Sequence, residues 1–100
     1  MKWDIQCVGF NAKPDLIETV KERVGKLDKY FNPIIGAEVY LRLEYNDQCE
    51  SKKVEVKLNI PGEDVFADHQ SASFEHSLIE AVEKVKRQLL KKKDLERAVR

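Results

Sequence analysis

The fold of this chain is constrained most by a strict alternation of apolar and polar residues in three segments, near residues 5, 41 and 57. In each segment every second side chain is apolar and the residues between are mostly charged or polar. A strand with this pattern buries one face and leaves the other in water. A sheet built from such strands accepts helices on one side only. We therefore expect an α+β domain with a one-sided sheet.

The alternating segments predict three strands, and a fourth follows from the turn chemistry. The apolar positions are Trp3, Ile5 and Cys7 in the first strand, Val39, Leu41, Leu43 and Tyr45 in the second, and Val54, Val56, Leu58 and Ile60 in the third. The polar run from Asn46 to Ser51 predicts a hairpin turn between the second and third strands. Pro61-Gly62 predicts another turn, which leads into a short fourth strand around Val65-Phe66-Ala67.

Two further segments have the spacing of amphipathic helices. The first begins at Pro14, ends at Asn32-Pro33 and has about four turns. The second begins after Ser71 or Ser73, either of which is a suitable N-cap. The apolar positions are Leu16, Val20, Val24, Leu27 and Phe31 in the first helix, and Phe74, Leu78, Ala81, Val82, Val85 and Leu89 in the second.

The predicted order is β-α-β-β-β-α, and its last five elements, α-β-β-β-α, have the order of double-stranded RNA-binding domains. The first helix is a crossover, so the first two strands should be parallel and the others an antiparallel meander. We expect a four-stranded mixed sheet with both helices on one face. At 100 residues the chain suits one domain, residues 1–93, and the weakly periodic residues 94–100 are expected to form a frayed tail.

The cellular compartment is indicated by what the sequence does not contain. No apolar run is long enough to span a membrane, and the N-terminus opens on alternation instead of an apolar signal segment. Cys7 and Cys49 are isolated, Cys7 as a small core residue and Cys49 as an exposed thiol in a turn, which suits a reducing compartment. We expect a cytoplasmic protein with no membrane partner.

The net charge of zero conceals an uneven distribution of charge. Residues 84–100 hold eight basic and two acidic residues, a net charge of +6, whereas residues 1–83 hold 10 basic and 16 acidic residues, a net charge of −6. Clustered lysine and arginine favour nucleic acid, because phosphate contacts release counterions. The alternative is a solvated helix end whose cations interact with the helix dipole.

Helical geometry favours the nucleic-acid interpretation. At 100° per residue, Lys84, Arg87 and Lys91 lie within about 60° of one another and away from the apolar stripe. In the first helix Lys26 and Lys29 also lie away from the core, with Arg23 on their flank. The two helices together predict one basic surface, opposite a sheet face of mixed charge.

Nothing in the sequence indicates catalysis. We find no Ser-His-Asp or Cys-His spacing and no glycine-rich phosphate loop, so we predict no enzyme activity, no cofactor and no small-molecule substrate. His69 and His76 are too few ligands for a metal site. Among the aromatics, Trp3 and Tyr45 lie on apolar stripes and are expected in the core, and Tyr40 is expected on the open sheet face.

Two helix motifs resemble those of a known family. Residues 26–31 read KLDKYF, which looks like a K-L-[DE]-[KR]-[YFW] motif, and residues 84–91 read KVKRQLLK, which looks like K-[LV]-x-R-Q-[LI]-x-K. The hairpin followed by Pro61-Gly62 has the same family's layout. The chain therefore resembles the ribosome hibernation-promoting factors, also called ribosome-associated inhibitors or ribosomal subunit interface proteins, over about residues 3–93.

The resemblance implies a specific partner and mode of action. Members bind the small ribosomal subunit across its decoding region, contact ribosomal RNA through the basic helical face, and block messenger and transfer RNA. The implied RNA-binding residues are Arg23, Lys26, Lys29, Lys84, Arg87 and Lys91. The chain departs from many members at Ser71-Ala72-Ser73-Phe74, where they have an acidic residue and an aromatic. It is expected to be a short form, without the additional C-terminal domain that pairs ribosomes in longer members.

Two other classes of function stay open at this point. One is a generic double-stranded RNA-binding module, although the chain lacks a KKxxK-type helix start. The other is a protein-interaction domain that recruits a partner through an exposed edge strand.

Overall fold

The computed structural model describes residues 1–45 and 50–98 of the chain. Its elements follow the predicted order β-α-β-β-β-α, with a short 3₁₀ turn after the first helix. They are β1 (Lys2–Val8), α1 (Pro14–Gly25), the 3₁₀ turn (Lys26–Lys29), β2 (Gly36–Tyr45), β3 (Glu50–Asn59), β4 (Val65–Ser71) and α2 (Phe74–Ala98).

The four strands form one mixed sheet in the order β1-β2-β3-β4. β1 is parallel to β2, whereas β3 pairs antiparallel with both β2 and β4, as the crossover argument predicted. The register places Val39 opposite Val56 and Leu41 opposite Val54, and all four side chains are fully buried. The residues between them are partly exposed, so the sheet buries one face only.

The core lies between that face and the two helices. Val20 and Val24 of α1 and Leu78, Val85 and Leu89 of α2 are fully buried in the same cluster as the inward residues of the sheet. Full burial of each such side chain stabilises the fold by about 1.5–3 kcal/mol. The prediction of two helices on one face is confirmed.

The inward side chains are less buried at two margins of the sheet. In the edge strand β1, Trp3, Ile5 and Cys7 are only half-buried, because no strand covers their outer side. Tyr45 is 73% exposed, so its predicted place in the core is wrong. Burial falls along β2 towards the hairpin end, and Tyr45 extends beyond the covered part of the face.

The third strand begins earlier than the polar composition suggested. β3 begins at Glu50, so Ser51 belongs to the strand and not to the turn. Residues 46–49 lie outside the described residues, and the expected exposed thiol of Cys49 lies there too. β4 is longer than predicted, because residues 68–71 continue to pair with β3.

The first helical segment changes from an α-helix to a 3₁₀ turn before it ends. The α-helix stops at Gly25, and the 3₁₀ turn keeps Leu27 fully buried at the end of the apolar stripe. Phe31 packs against the core half-buried, and the following Asn32–Pro33 peptide bond is cis.

Helix α2 is capped by Ser73, whose Oγ accepts a hydrogen bond from the backbone N–H of His76 at 3.2 Å. The helix continues to Ala98, so residues 94–98 are helical where we expected a frayed tail. Leucine, glutamate, arginine and alanine are good helix formers, and this propensity continues the helix where the apolar periodicity fades. The separation of a binding domain at residue 93 stays a prediction.

One buried polar contact joins α2 to the sheet, and the apolar pattern gave no sign of it. Ser77 is fully buried, and its Oγ donates to the carbonyl oxygen of Lys52 in β3 at 2.7 Å. The same Oγ lies 2.7 Å from Oγ of Ser71 in β4. The hydroxyl is thereby satisfied, as a buried polar group must be.

None of the helices in the described part of the chain combines the length and the apolar character needed to cross a bilayer.

Two glycines should respond in opposite directions to alanine. Gly9 has a φ of +87°, and a Cβ there would lie 2.8 Å from the carbonyl oxygen of Leu43. Gly25 has helical dihedrals, and its Cβ would meet only Trp3 at 3.9 Å. We expect Gly9→Ala to lower the free energy of unfolding by roughly 2 kcal/mol and Gly25→Ala to raise it by about 0.5–1 kcal/mol. Urea denaturation of both variants measures this, and equal stabilities would contradict it.

Candidate nucleic-acid interface

The six predicted RNA-binding residues all lie in the helical layer, but not with equal exposure. Lys26, Lys29, Arg87 and Lys91 are exposed, whereas the side chains of Arg23 and Lys84 are half-buried. Arg23 is in the last turn of α1, Lys26 and Lys29 are in the 3₁₀ turn, and the other three are in α2.

Lys84 and Arg87 lie on the flank of α2 that faces β4. With residues 66–68 and Gln88 they line an open groove of about 390 Å³. Nζ of Lys84 donates to the carbonyl oxygen of Asp68 at 2.9 Å and lies 3.4 Å from Nδ1 of His69. Its charge stays near the surface, but part of its hydrogen-bonding capacity is used to hold α2 against β4.

Arg23 of α1 and Lys26 of the 3₁₀ turn lie on the opposite side of α2 from β4, across the groove between the two helices. This groove has a volume of about 160 Å³ and is also lined by Lys86. Nζ of Lys86 lies 4.7 Å from the ring centroid of Tyr30, a cation–π distance. The sequence did not single out Lys86 as a site residue.

A second cavity of about 210 Å³ continues this groove past Tyr30, which lines both. It brings Lys29 of the 3₁₀ turn together with Lys93 of α2. Lys86 and Lys93 are seven residues apart, so they lie on one flank of the helix. This spacing was the signal available in the sequence.

The predicted single surface is therefore two basic tracks on either side of α2. We define the interhelical track as Arg23, Lys26, Lys29, Lys86 and Lys93, and the β4-side track as Lys84, Arg87 and Lys91. A helical projection orders residues around one axis, but it does not say which flank meets the neighbouring helix.

The sheet face offers an anion much less free positive charge. Its cations on β2 and β3 form ion pairs within the sheet or with the turn before β4, whereas Lys2 of the edge strand β1 forms no salt bridge with the described residues. Arg42 pairs with Glu55 at 2.9 Å, Lys53 with Glu55 at 3.7 Å and Asp68 at 3.8 Å, and Lys57 with Glu38 at 3.8 Å and Asp64 at 3.5 Å. The positive charge of β2 and β3 on this face is therefore locally neutralised.

The cations of the two helical tracks differ from those of β2 and β3, because most of them form no salt bridge with the described residues. Among the residues that the structure describes, Arg23, Lys84, Lys86, Arg87 and Lys91 form no salt bridge. In the interhelical track Lys26 pairs with Glu22, at 3.9 Å and with both side chains more than half exposed, which contributes little. These cations are available to an external anion.

Two other residues singled out in the sequence are Tyr40, which lies away from the tracks, and His69, which contacts Lys84 of the β4-side track. Tyr40 is on the open sheet face, with the Arg42 guanidinium 5.4 Å from its ring centroid. The ring of His69 meets that of His76 edge-on at 5.5 Å. Residues 1–45 and 50–98 contain no group of three or more His, Cys, Asp or Glu placed to hold a metal ion.

Comparison with known proteins identifies the family. The model of the Sigma 54 modulation protein / S30EA ribosomal protein family matches residues 3–97, nearly the whole chain. The chain belongs to this family. A search of curated protein sequences found no match.

Two solved structures have the same fold as this chain. The N-terminal domain of Protein Y from Thermus thermophilus superposes with a TM-score of 0.79 at 18% identity, covering 91% of this chain and 98% of that one. A ribosomal subunit interface protein from Coxiella burnetii superposes with a TM-score of 0.78 at 19% identity, covering 94% and 99%. The family and these structures confirm the resemblance first drawn from the two helix motifs.

Replacing Lys84 should cost stability, whereas replacing Arg87 should not. Lys84→Met removes the hydrogen bond to the Asp68 carbonyl, and we expect a loss of about 1 kcal/mol in the free energy of unfolding. Arg87→Met changes an exposed side chain and should stay within about 0.5 kcal/mol of the unmodified protein. Urea denaturation compares them, and equal losses would contradict the assigned role of Lys84.

Proposed function

We propose that this protein is a ribosome-associated translation inhibitor that acts in ribosome hibernation as part of a stress response. It binds the small ribosomal subunit at the decoding region, contacts ribosomal RNA through the helical face, and excludes messenger and transfer RNA. The observation that carries this proposal is the set of cations without salt bridges on the helical layer of an S30EA-family fold. The location that suits this role is the cytoplasm.

The physical basis of affinity in this proposal is electrostatic. Lysine and arginine of the two tracks contact phosphates, and each contact releases condensed counterions. Phosphate contacts position a protein but do not read sequence, so specificity comes from the shape of the ribosomal RNA. The sheet face, where the cations of β2 and β3 are paired, faces away from the RNA.

Inhibition by occupancy requires no reaction. A protein that fills the path of messenger and transfer RNA prevents translation for as long as it stays bound. The proposal therefore needs no catalytic residue, cofactor, metal or small-molecule substrate.

The main rival is a generic double-stranded RNA-binding module, because the elements after β1 follow that module's order, α-β-β-β-α. Such a module binds isolated duplex RNA about as well as it binds ribosomes. The ribosomal proposal requires a strong preference for small subunits at equal salt. A protein-interaction domain without an RNA role is the second rival, and its partners would be retained in pull-downs after nuclease treatment.

Charge reversal of the exposed cations should abolish ribosome binding. We expect the triple variant Lys29→Glu, Arg87→Glu and Lys91→Glu to lose co-sedimentation with small subunits at physiological salt, because attraction to phosphates becomes repulsion. Lys84 is left unchanged, since it also holds α2 against β4.

The matched control reverses three cations outside the tracks. Lys2, Lys13 and Lys21 are also exposed, and their reversal changes the net charge by the same amount. This control should still pellet with small subunits. Co-sedimentation of the first triple variant, with its fold intact by circular dichroism, would refute the helical-face proposal.

Binding should also weaken steeply with salt. If about six phosphates are neutralised, the logarithm of the association constant falls with the logarithm of salt concentration at a slope of roughly −4 to −5. Fluorescence titration of labelled protein with small subunits between 50 and 300 mM potassium chloride, a range chosen around physiological salt, measures this slope. A flat profile would point to a protein contact.

A further inference from the structure

We infer that the groove between α1 and α2 is a binding site for a backbone phosphate of the RNA, with Lys86 as its principal ligand. The inference rests on the proposed function and adds to it a phosphate ligand, Lys86, that is not among the six residues predicted from sequence. Three cations, Arg23, Lys26 and Lys86, line this groove from both helices, against a single carboxylate, Glu83.

Lys86 is held in place before any anion arrives. Its ammonium group lies over the ring of Tyr30 at 4.7 Å from the centroid, and its side chain is half-buried. A cation–π contact favours this position of the charge. A lysine that is already ordered loses less conformational entropy when it binds a phosphate.

The floor of the groove strengthens the electrostatic interaction. Leu27, Ile79 and Val82 line it together with Tyr30, so one side of a bound phosphate would face apolar side chains instead of water. Charges that are partly removed from water attract each other more strongly. No salt bridge within the described residues competes for Arg23 or Lys86.

The groove also leads on to a second pair of cations. Tyr30 separates it from the cavity that Lys29 and Lys93 line together with one carboxylate, that of Asp28. A strand whose phosphate occupies the first site therefore meets further positive charge along its path. A single RNA chain following the interhelical track is the ligand that fits this arrangement.

The site is not contained in the helix motif that indicated the family. Lys86 occupies the position that K-[LV]-x-R-Q-[LI]-x-K leaves unspecified, and Lys93 lies beyond the end of the motif. Only the packing of α2 against α1 and the 3₁₀ turn brings these lysines to Arg23 and Tyr30.

The test compares two lysines of the same helix. Lys86→Gln removes a cation of the groove, whereas Lys92→Gln removes one whose Nζ pairs with Glu63 at 2.9 Å outside it. In salt titrations with small subunits, we expect Lys86→Gln to bind about fivefold more weakly at 0.15 M salt, with a log–log slope smaller by about one. Lys92→Gln should keep the affinity within about twofold and the slope unchanged.

Tyr30 is a positioning residue in this proposal, and its variants separate positioning from folding. Tyr30→Phe keeps the ring and should bind like the unmodified protein, whereas Tyr30→Leu should bind about threefold more weakly because Lys86 loses its ring partner. In the Lys86→Gln background, Tyr30→Leu should have no further effect on binding. An equal effect in both backgrounds would overturn the positioning role.

The outcomes distinguish this site from the wider function. If Lys86→Gln keeps the slope of the unmodified protein, or if Lys92→Gln loses as much affinity, the groove site is refuted while ribosome binding stands. If the unmodified protein fails to bind small subunits, both proposals are refuted.

Discussion

The one-sided burial of the sheet is the constraint on which the rest of the molecule depends. Val39, Leu41, Val54 and Val56 are fully buried in facing pairs, and the residues that alternate with them remain partly in water. Both helices must then cover the same face. This arrangement divides the surface into a sheet face and a helical face, and every argument about charge follows from that division.

The sheet face and the helical face differ in how their cations are paired with carboxylates, because their geometries differ. Antiparallel register places Glu38 of β2 directly opposite Lys57 of β3. Glu55 of β3 pairs with Arg42 of β2 and with Lys53 of its own strand. The cations of β2 and β3 on this face are thus neutralised by their neighbours. On α2, residues 84–93 contain six cations and no carboxylate, so the helix cannot neutralise itself and its charge is presented outward.

Much of the fold followed from local patterns, and the exceptions have physical reasons. The order of elements, the parallel pairing of β1 with β2 and the apolar stripe of α2 were predicted. Tyr45 was misplaced because alternation does not show where the helical cover ends. Ser77 of α2 was missed because a buried hydroxyl is acceptable only when tertiary partners satisfy it, and its partners lie on β3 and β4.

The sequence by itself determined the periods of the elements, the one-sided sheet and the concentration of positive charge in the last helix, since these depend on residues close together in the chain. Tertiary structure decided how that charge is divided. Lys84 and Lys86 are two residues apart, yet one is bound to β4 and the other lies over Tyr30 beside the 3₁₀ turn. The rotation of α2 about its axis is set by contacts distant in sequence, and that rotation decides which lysines face α1.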